Sequence, residues 1–161
     1  MAVQWEAELH QKVADYLKLQ YPKVIYRTDF AAGVKMTIGQ ARKHKRLQQG
    51  RAYPDLFIAK PWKSKNTTKY SGLYLELKHP QGGHQPYLRD GFTRSNDKHC
   101  LEQWAVLDEL SELGYCAKMA VGFDQAKIII DWYLGDHSHV SPEPTAQEMV
   151  NAGVAPYEHV F

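Results

Sequence analysis

The sequence predicts an α/β fold, a small mixed central sheet flanked by helices, built as one domain. Three observations predict it. Segments 54–59, 73–78 and 115–121 have strand character, helical patterns stand before and between them, and no internal repeat or second composition breaks the chain. A length of 161 residues, 43% hydrophobic and 24% charged, is ordinary for one soluble domain with a real core.

In chain order, Trp5, Leu9, Val13, Tyr16 and Leu17 recur at the spacing of one helical face. The helix ends at Tyr21 and Pro22, because the residue before proline avoids helical geometry. Val24, Ile25 and Tyr26 form a short β candidate, and Ala31, Ala32 and Gly33 a tight loop. Thr37 and Gln40 have the Thr-x-x-Gln spacing of a capping box. The helix they open holds Arg42, Lys43, His44, Lys45 and Arg46 and stops near Gly50. Its apolar face, Ile38, Ala41 and Leu47, is too thin to hold it to a core, so the basic face points to an external purpose.

Residues 60–72, rich in Lys, Ser, Asn and Thr, read as a flexible hairpin connection between two strands. Residues 79–100 read as a long polar loop, of a length that is usually functional or mobile. A helix follows over 101–113 with Gly114 as its cap, then strand 115–121, then a helix N-capped by Asp124 and stopped by Gly135. This makes 1–134 the folded domain and 135–161, with Pro142, Pro144 and Pro156, an extended arm.

No apolar run approaches the roughly 20 residues a membrane helix needs. Residues 1–6 lack the blocks of a signal peptide, and Cys100 and Cys116 have neither metal-ligand spacing nor disulfide-scaffold density. A reducing cytoplasm fits, with no membrane and no organic cofactor. The net charge of +2 hides an asymmetry: residues 30–75 carry ten basic residues against Asp55 alone, a net +9, whereas residues 101–161 carry two against ten, a net −8. Lys35, Arg42, Lys43, Lys45, Arg46 and Arg51 are therefore candidate nucleic-acid contacts, since each cation placed on a phosphate releases condensed counterions.

Strand alternation gives the candidate chemistry. In 73–78 the three leucines share one face and Tyr74, Glu76 and Lys78 the other. In 54–59, Leu56 and Ile58 point one way and Asp55, Phe57 and Ala59 the other. Paired as a hairpin, the two strands bring Asp55 and Glu76 together with Lys78 beside them. Two adjacent carboxylates repel unless a cation lies between them, and Mg²⁺ or Mn²⁺ is the natural occupant of an oxygen site. His79, His84, His99 and Cys100 match no compact zinc spacing.

The run from Arg51 to Ile58, followed by Gly72 to Lys78, resembles the PD-(D/E)xK nuclease signature, which implies a restriction-endonuclease-like core. More narrowly it is similar to the VRR-NUC branch found in phages, bacteria and a eukaryotic crosslink-repair enzyme. The likeness runs from the first helix to about Leu134 and takes in Gln103 and the step Val121-Gly122-Phe123-Asp124. It implies one or two Mg²⁺ or Mn²⁺ ions held by Asp55, Glu76 and the Leu77 carbonyl, Lys78 as the catalytic lysine and Gln103 near the metal or scissile phosphate. It also implies an acid from the first helix. Glu6 and Glu8 are the candidates, and Glu6 lies closer to the direction of the apolar face. Stand-alone members behave like Holliday-junction resolvases, which implies branched DNA as the partner, a bacterial or phage-infected cytoplasm, and a homodimer. The arm or the Ile128-Ile129-Ile130 helix could supply the dimer surface. The alternatives are a sequence-preferring restriction or nicking nuclease, disfavoured by the lack of a recognition domain, and a non-catalytic DNA-binding module.

Overall fold

The computed structural model describes residues 2–28, 36–47, 52–64, 67–135 and 142–153. Lys35, Arg51, Gly50 and the loop at Ala31–Gly33 lie outside these, as do the side chains of His44 and Lys45. The chain forms a mixed α/β fold. A four-stranded sheet, in order Tyr26–Thr28, Leu56–Ile58, Leu73–Lys78 and Cys116–Val121, has helices on both faces, and a separate two-stranded sheet pairs Trp62–Ser64 with Thr67–Tyr70.

α1 (Ala2–Gln20) buries Leu9, Val13 and Leu17 and ends where the Tyr21 amide donates to the Leu17 carbonyl before Pro22. β1 (Tyr26–Thr28) starts later than the apolar triplet suggests, and Ile25 is left exposed. α2 (Ile38–Leu47) opens on the reciprocal cap: the Thr37 amide donates to Gln40 Oε1 at 2.9 Å, and the Gln40 amide to Thr37 Oγ1 at 3.3 Å. Every described side chain of α2 is exposed, Ile38 by 74% and Leu47 by 76%.

β2 (Leu56–Ile58) pairs antiparallel with both β1 and β5 (Leu73–Lys78), while β5 pairs parallel with β6 (Cys116–Val121). The parallel pair requires a crossover, supplied by residues 79–115 with α3 (Lys98–Glu112). Leu73, Leu75 and Leu77 enter the main core with α1 and α4 (Gly122–Leu134).

Three expectations are corrected, and two features go beyond the sequence reading. Residues 60–72 are not a plain connection: β3 (Trp62–Ser64) and β4 (Thr67–Tyr70) form a hairpin, pinned because Trp62 is buried in the main core beside Trp132. Strand β5 has no solvent face, because α3 and Tyr87 build a second small core of Cys100, Trp104, Leu107 and Met119 over its other side. The loop after β5 is folded: Gln85 Nε2 donates to the carbonyls of His79, Pro80 and Gly82, and Arg94 forks onto Asp108 with two 2.7 Å bonds. Asp124 is not the α4 cap. That helix starts at Gly122, whose φ of +80° suits glycine and whose missing Cβ leaves room for Pro80; Gln125 Oε1 accepts from the Val121 amide. The tail, finally, contains α5 (Ala146–Gly153), which packs on α4 and receives a bond from Gln125 Nε2 at the Met149 carbonyl, so residues 142–153 are no extended arm. Ile129 and Ile130 are buried within this same core.

The buried anchor of the hairpin gives a stability prediction. Trp62→Ala should lower unfolding stability by about 3–5 kcal/mol, while Lys63→Ala, on the exposed side, should stay within about 0.5 kcal/mol. Urea unfolding of the two variants checks this.

Candidate active site

The β2–β5 register sets Leu56 against Leu75 and Phe57 against Tyr74, and one more step along it puts Asp55 opposite Glu76. Asp55 lies in the bend just before β2, after the buried Pro54. Its Oδ2 accepts from the Leu77 amide at 2.8 Å, so a side chain ties the start of β2 to β5 where the backbone ladder stops.

Glu76 is 3% exposed and Lys78 7%. Lys78 Nζ lies 3.3 Å from Glu76 Oε1, and Gln103 Nε2, from α3, donates to the same oxygen. Burial first, and then the neighbouring Asp55, raise the Glu76 carboxyl well above its ordinary value; Lys78 pulls the other way without cancelling them.

α1 closes the other side. His10 is buried, with Nε2 3.7 Å from Asp55 Oδ2 and, among the described residues, no hydrogen-bond partner for Nδ1. Trp5 stacks on His79, ring centroids 5.4 Å apart, which holds the start of α1 against the end of β5. Glu6 is exposed one helical turn before His10, and Glu8 is exposed and accepts from Gln4. His10 was missed in the sequence. The signal for it was its place at the margin of the apolar face, between Leu9 and Val13.

Thus Asp55, Glu76, Leu77, Lys78 and Gln103 come together, with His10 added. On α2, Arg42, Lys43 and Arg46 are exposed cations. Among the described residues, two further histidines have partners of their own: His84 Nδ1 lies 3.0 Å from Asp97 Oδ2 and its ring leans on His99. Cys100 is buried, and burial pushes its thiol up to about 11.

Among the described residues no group of three or more His, Cys, Asp or Glu side chains is arranged to hold a metal ion. A fit therefore rests on the carboxylate pair together with amide and backbone oxygens. Gln103 Oε1 is buried without a hydrogen-bond partner beside Glu76, and an all-oxygen set of this kind suits a hard divalent cation.

A mixed sheet carrying an acid at the head of one strand and Glu-x-Lys on the next is a restriction-endonuclease-like arrangement. Within that class the structure matches a solved protein described as "VRR_NUC domain protein", at 25% sequence identity and a TM-score of 0.53, over 80% of this chain and 87% of the other. No family model and no curated protein matches the sequence. The fold is of the VRR-NUC type.

The raised Glu76 carboxyl has a signed consequence for stability. From its ordinary value near 4.5 upward, the unfolded chain gives up this proton while the folded chain keeps it. The Glu76 contribution is therefore full below that value and is lost as pH rises through the raised one. Urea midpoints of the metal-free proteins between about pH 4 and about pH 8 should show Glu76→Gln gaining on the wild type as pH rises. Parallel curves would refute it.

Proposed function

We propose that the chain is a divalent-metal-dependent nuclease that hydrolyses phosphodiester bonds in DNA. The observation that carries this reading is the buried Glu76 set against the half-buried Asp55, with Lys78 at 3.3 Å from Glu76. The likeness to a VRR_NUC domain protein supports it.

Asp55, Glu76 and the Leu77 carbonyl would hold Mg²⁺ or Mn²⁺, which supplies Lewis-acid polarisation of a phosphoryl oxygen and a bound water of lowered pKa. The protein's own groups do the positioning. The Leu77 amide fixes the Asp55 carboxylate, and Gln103 fixes that of Glu76. The Lys78 ammonium, held in a site with little water, orients the attacking water or offsets charge on the pentavalent phosphate. His10 limits where Asp55 can turn, and the exposed Glu6, one helical turn before His10, would be the further acid that the resemblance implies.

The cationic face of α2 supplies the phosphate contacts, through Arg42, Lys43 and Arg46 and with Lys35, Lys45 and Arg51 nearby in sequence. A helix with nothing buried gains its ordering from a polyanion. The resemblance to stand-alone family members supports branched or junction DNA as the substrate, cut by a homodimer that engages two strands.

The test is cleavage of a labelled four-way junction, a flap and a plain duplex with Mg²⁺ or Mn²⁺. Wild type should cut, with the branched substrates preferred, and Lys78→Ala should be slower by about 10²-fold or more. Binding without cutting of any substrate would favour a non-catalytic DNA-binding module instead. Replacing Arg42, Lys43 and Arg46 together by alanine should weaken binding to all DNA forms and lower the log–log salt slope by about 3. An unchanged slope would remove α2 from the interface.

A further inference from the structure

Beside the acidic pair lies an aromatic cluster that the chemistry above does not use. Tyr74 precedes Glu76 by two residues on β5, so the two share a sheet face, and Phe57 is its register partner on β2. The Phe57 and Tyr74 rings stack with centroids 4.5 Å apart, and Tyr115 stands edge-on to Tyr74 at 5.1 Å. Gly72 makes the stack possible: a Cβ there would lie 2.8 Å from the Phe57 ring.

On this base sits Tyr53, two residues before Asp55. Its ring meets Tyr74 edge-on at 5.7 Å, and its hydroxyl donates to the Tyr74 hydroxyl at 3.1 Å. Tyr74 is buried and packing accounts for it, whereas Tyr53 is 56% exposed. The protein thus orients a large aromatic ring firmly and leaves it in water, on a tyrosine that shares the Glu76 face, two residues before Asp55 and within the chain's most basic segment.

We propose that Tyr53 is a stacking platform for an unpaired nucleobase close to the scissile phosphate. Every base has a π-face, and an aromatic side chain accepts one without reading sequence. Tyr74, against which the Tyr53 ring packs, and Glu76 are two residues apart on β5, about 7 Å. That spans roughly two base rises of 3.4 Å, so the platform reaches a base one or two nucleotides from the cut. A base inside an uninterrupted duplex cannot offer its face, so the site selects strands with an unpaired base beside the cleaved bond, as at a flap, branch or frayed end. This rests on the nuclease reading and names the substrate feature that the same site recognises.

The experiment separates the two ideas by removing cleavage. In a Lys78→Ala background with Ca²⁺, a junction carrying one 2-aminopurine next to the branch is titrated with protein bearing Tyr53, Tyr53→Phe or Tyr53→Ala. Tyr53 and Tyr53→Phe should quench the 2-aminopurine. Tyr53→Ala should not, and it should bind the junction roughly tenfold more weakly, while binding plain duplex within about twofold of the parent. Equal quenching by the Tyr53 and Tyr53→Ala proteins overturns the platform, even if the wild type cuts DNA. Loss of quenching in Tyr53→Ala upholds it, even if the cleavage panel fails.

Discussion

Two carboxylates held against each other, Glu76 out of water and Asp55 only partly in it, set the terms for the rest of this structure. Asp55 and Glu76 are adjacent because antiparallel pairing of β2 and β5 has one register, fixed by leucines and an isoleucine that must all reach the same core. Slipping by one residue would turn those apolar side chains outward, so the hydrophobic pattern that folds the sheet also enforces the repulsion. The repulsion, together with burial, raises the Glu76 carboxyl above its ordinary value, and Lys78 at 3.3 Å opposes that rise.

The surrounding elements read as responses to this cluster. α1 brings His10 against Asp55, and α3 brings Gln103 against Glu76, from opposite sides of the sheet. Each leaves one buried polar atom without a partner, His10 Nδ1 and Gln103 Oε1, which costs folding free energy. A structure with two such atoms bordering a strained acid pair has put stability into a preset geometry. The folded loop after β5 serves the same end, since Gln85 and the Arg94–Asp108 fork fix the approach to α3.

Much of this was legible in the sequence where local chemistry and burial agree. α1, the Thr37–Gln40 box, β5, β6 and the Gly114 cap follow from spacing and turn residues. The pairing of Asp55 with Glu76 follows from alternation on two short strands. What escaped was burial dictated from afar. Trp62 and Tyr70 hid among lysines and threonines, and nothing local in β5 announces that α3 covers the face of Tyr74, Glu76 and Lys78. His10 and Tyr53 were invisible for a related reason. The first matters through a residue 45 positions away, and the second through how much of its ring stays uncovered.

The margins of the sheet bear on how two copies of the chain could meet. β1 has only three residues and carries the exposed Arg27. At the other margin, Lys118 of β6 is tied to Glu143, in the segment that leads into α5. A short charged strand and a covered one are poor templates for a further strand. Any symmetric pairing of this protein would therefore be side chain against side chain, with an interface open to tuning by point substitution, and not a continuous sheet shared between copies.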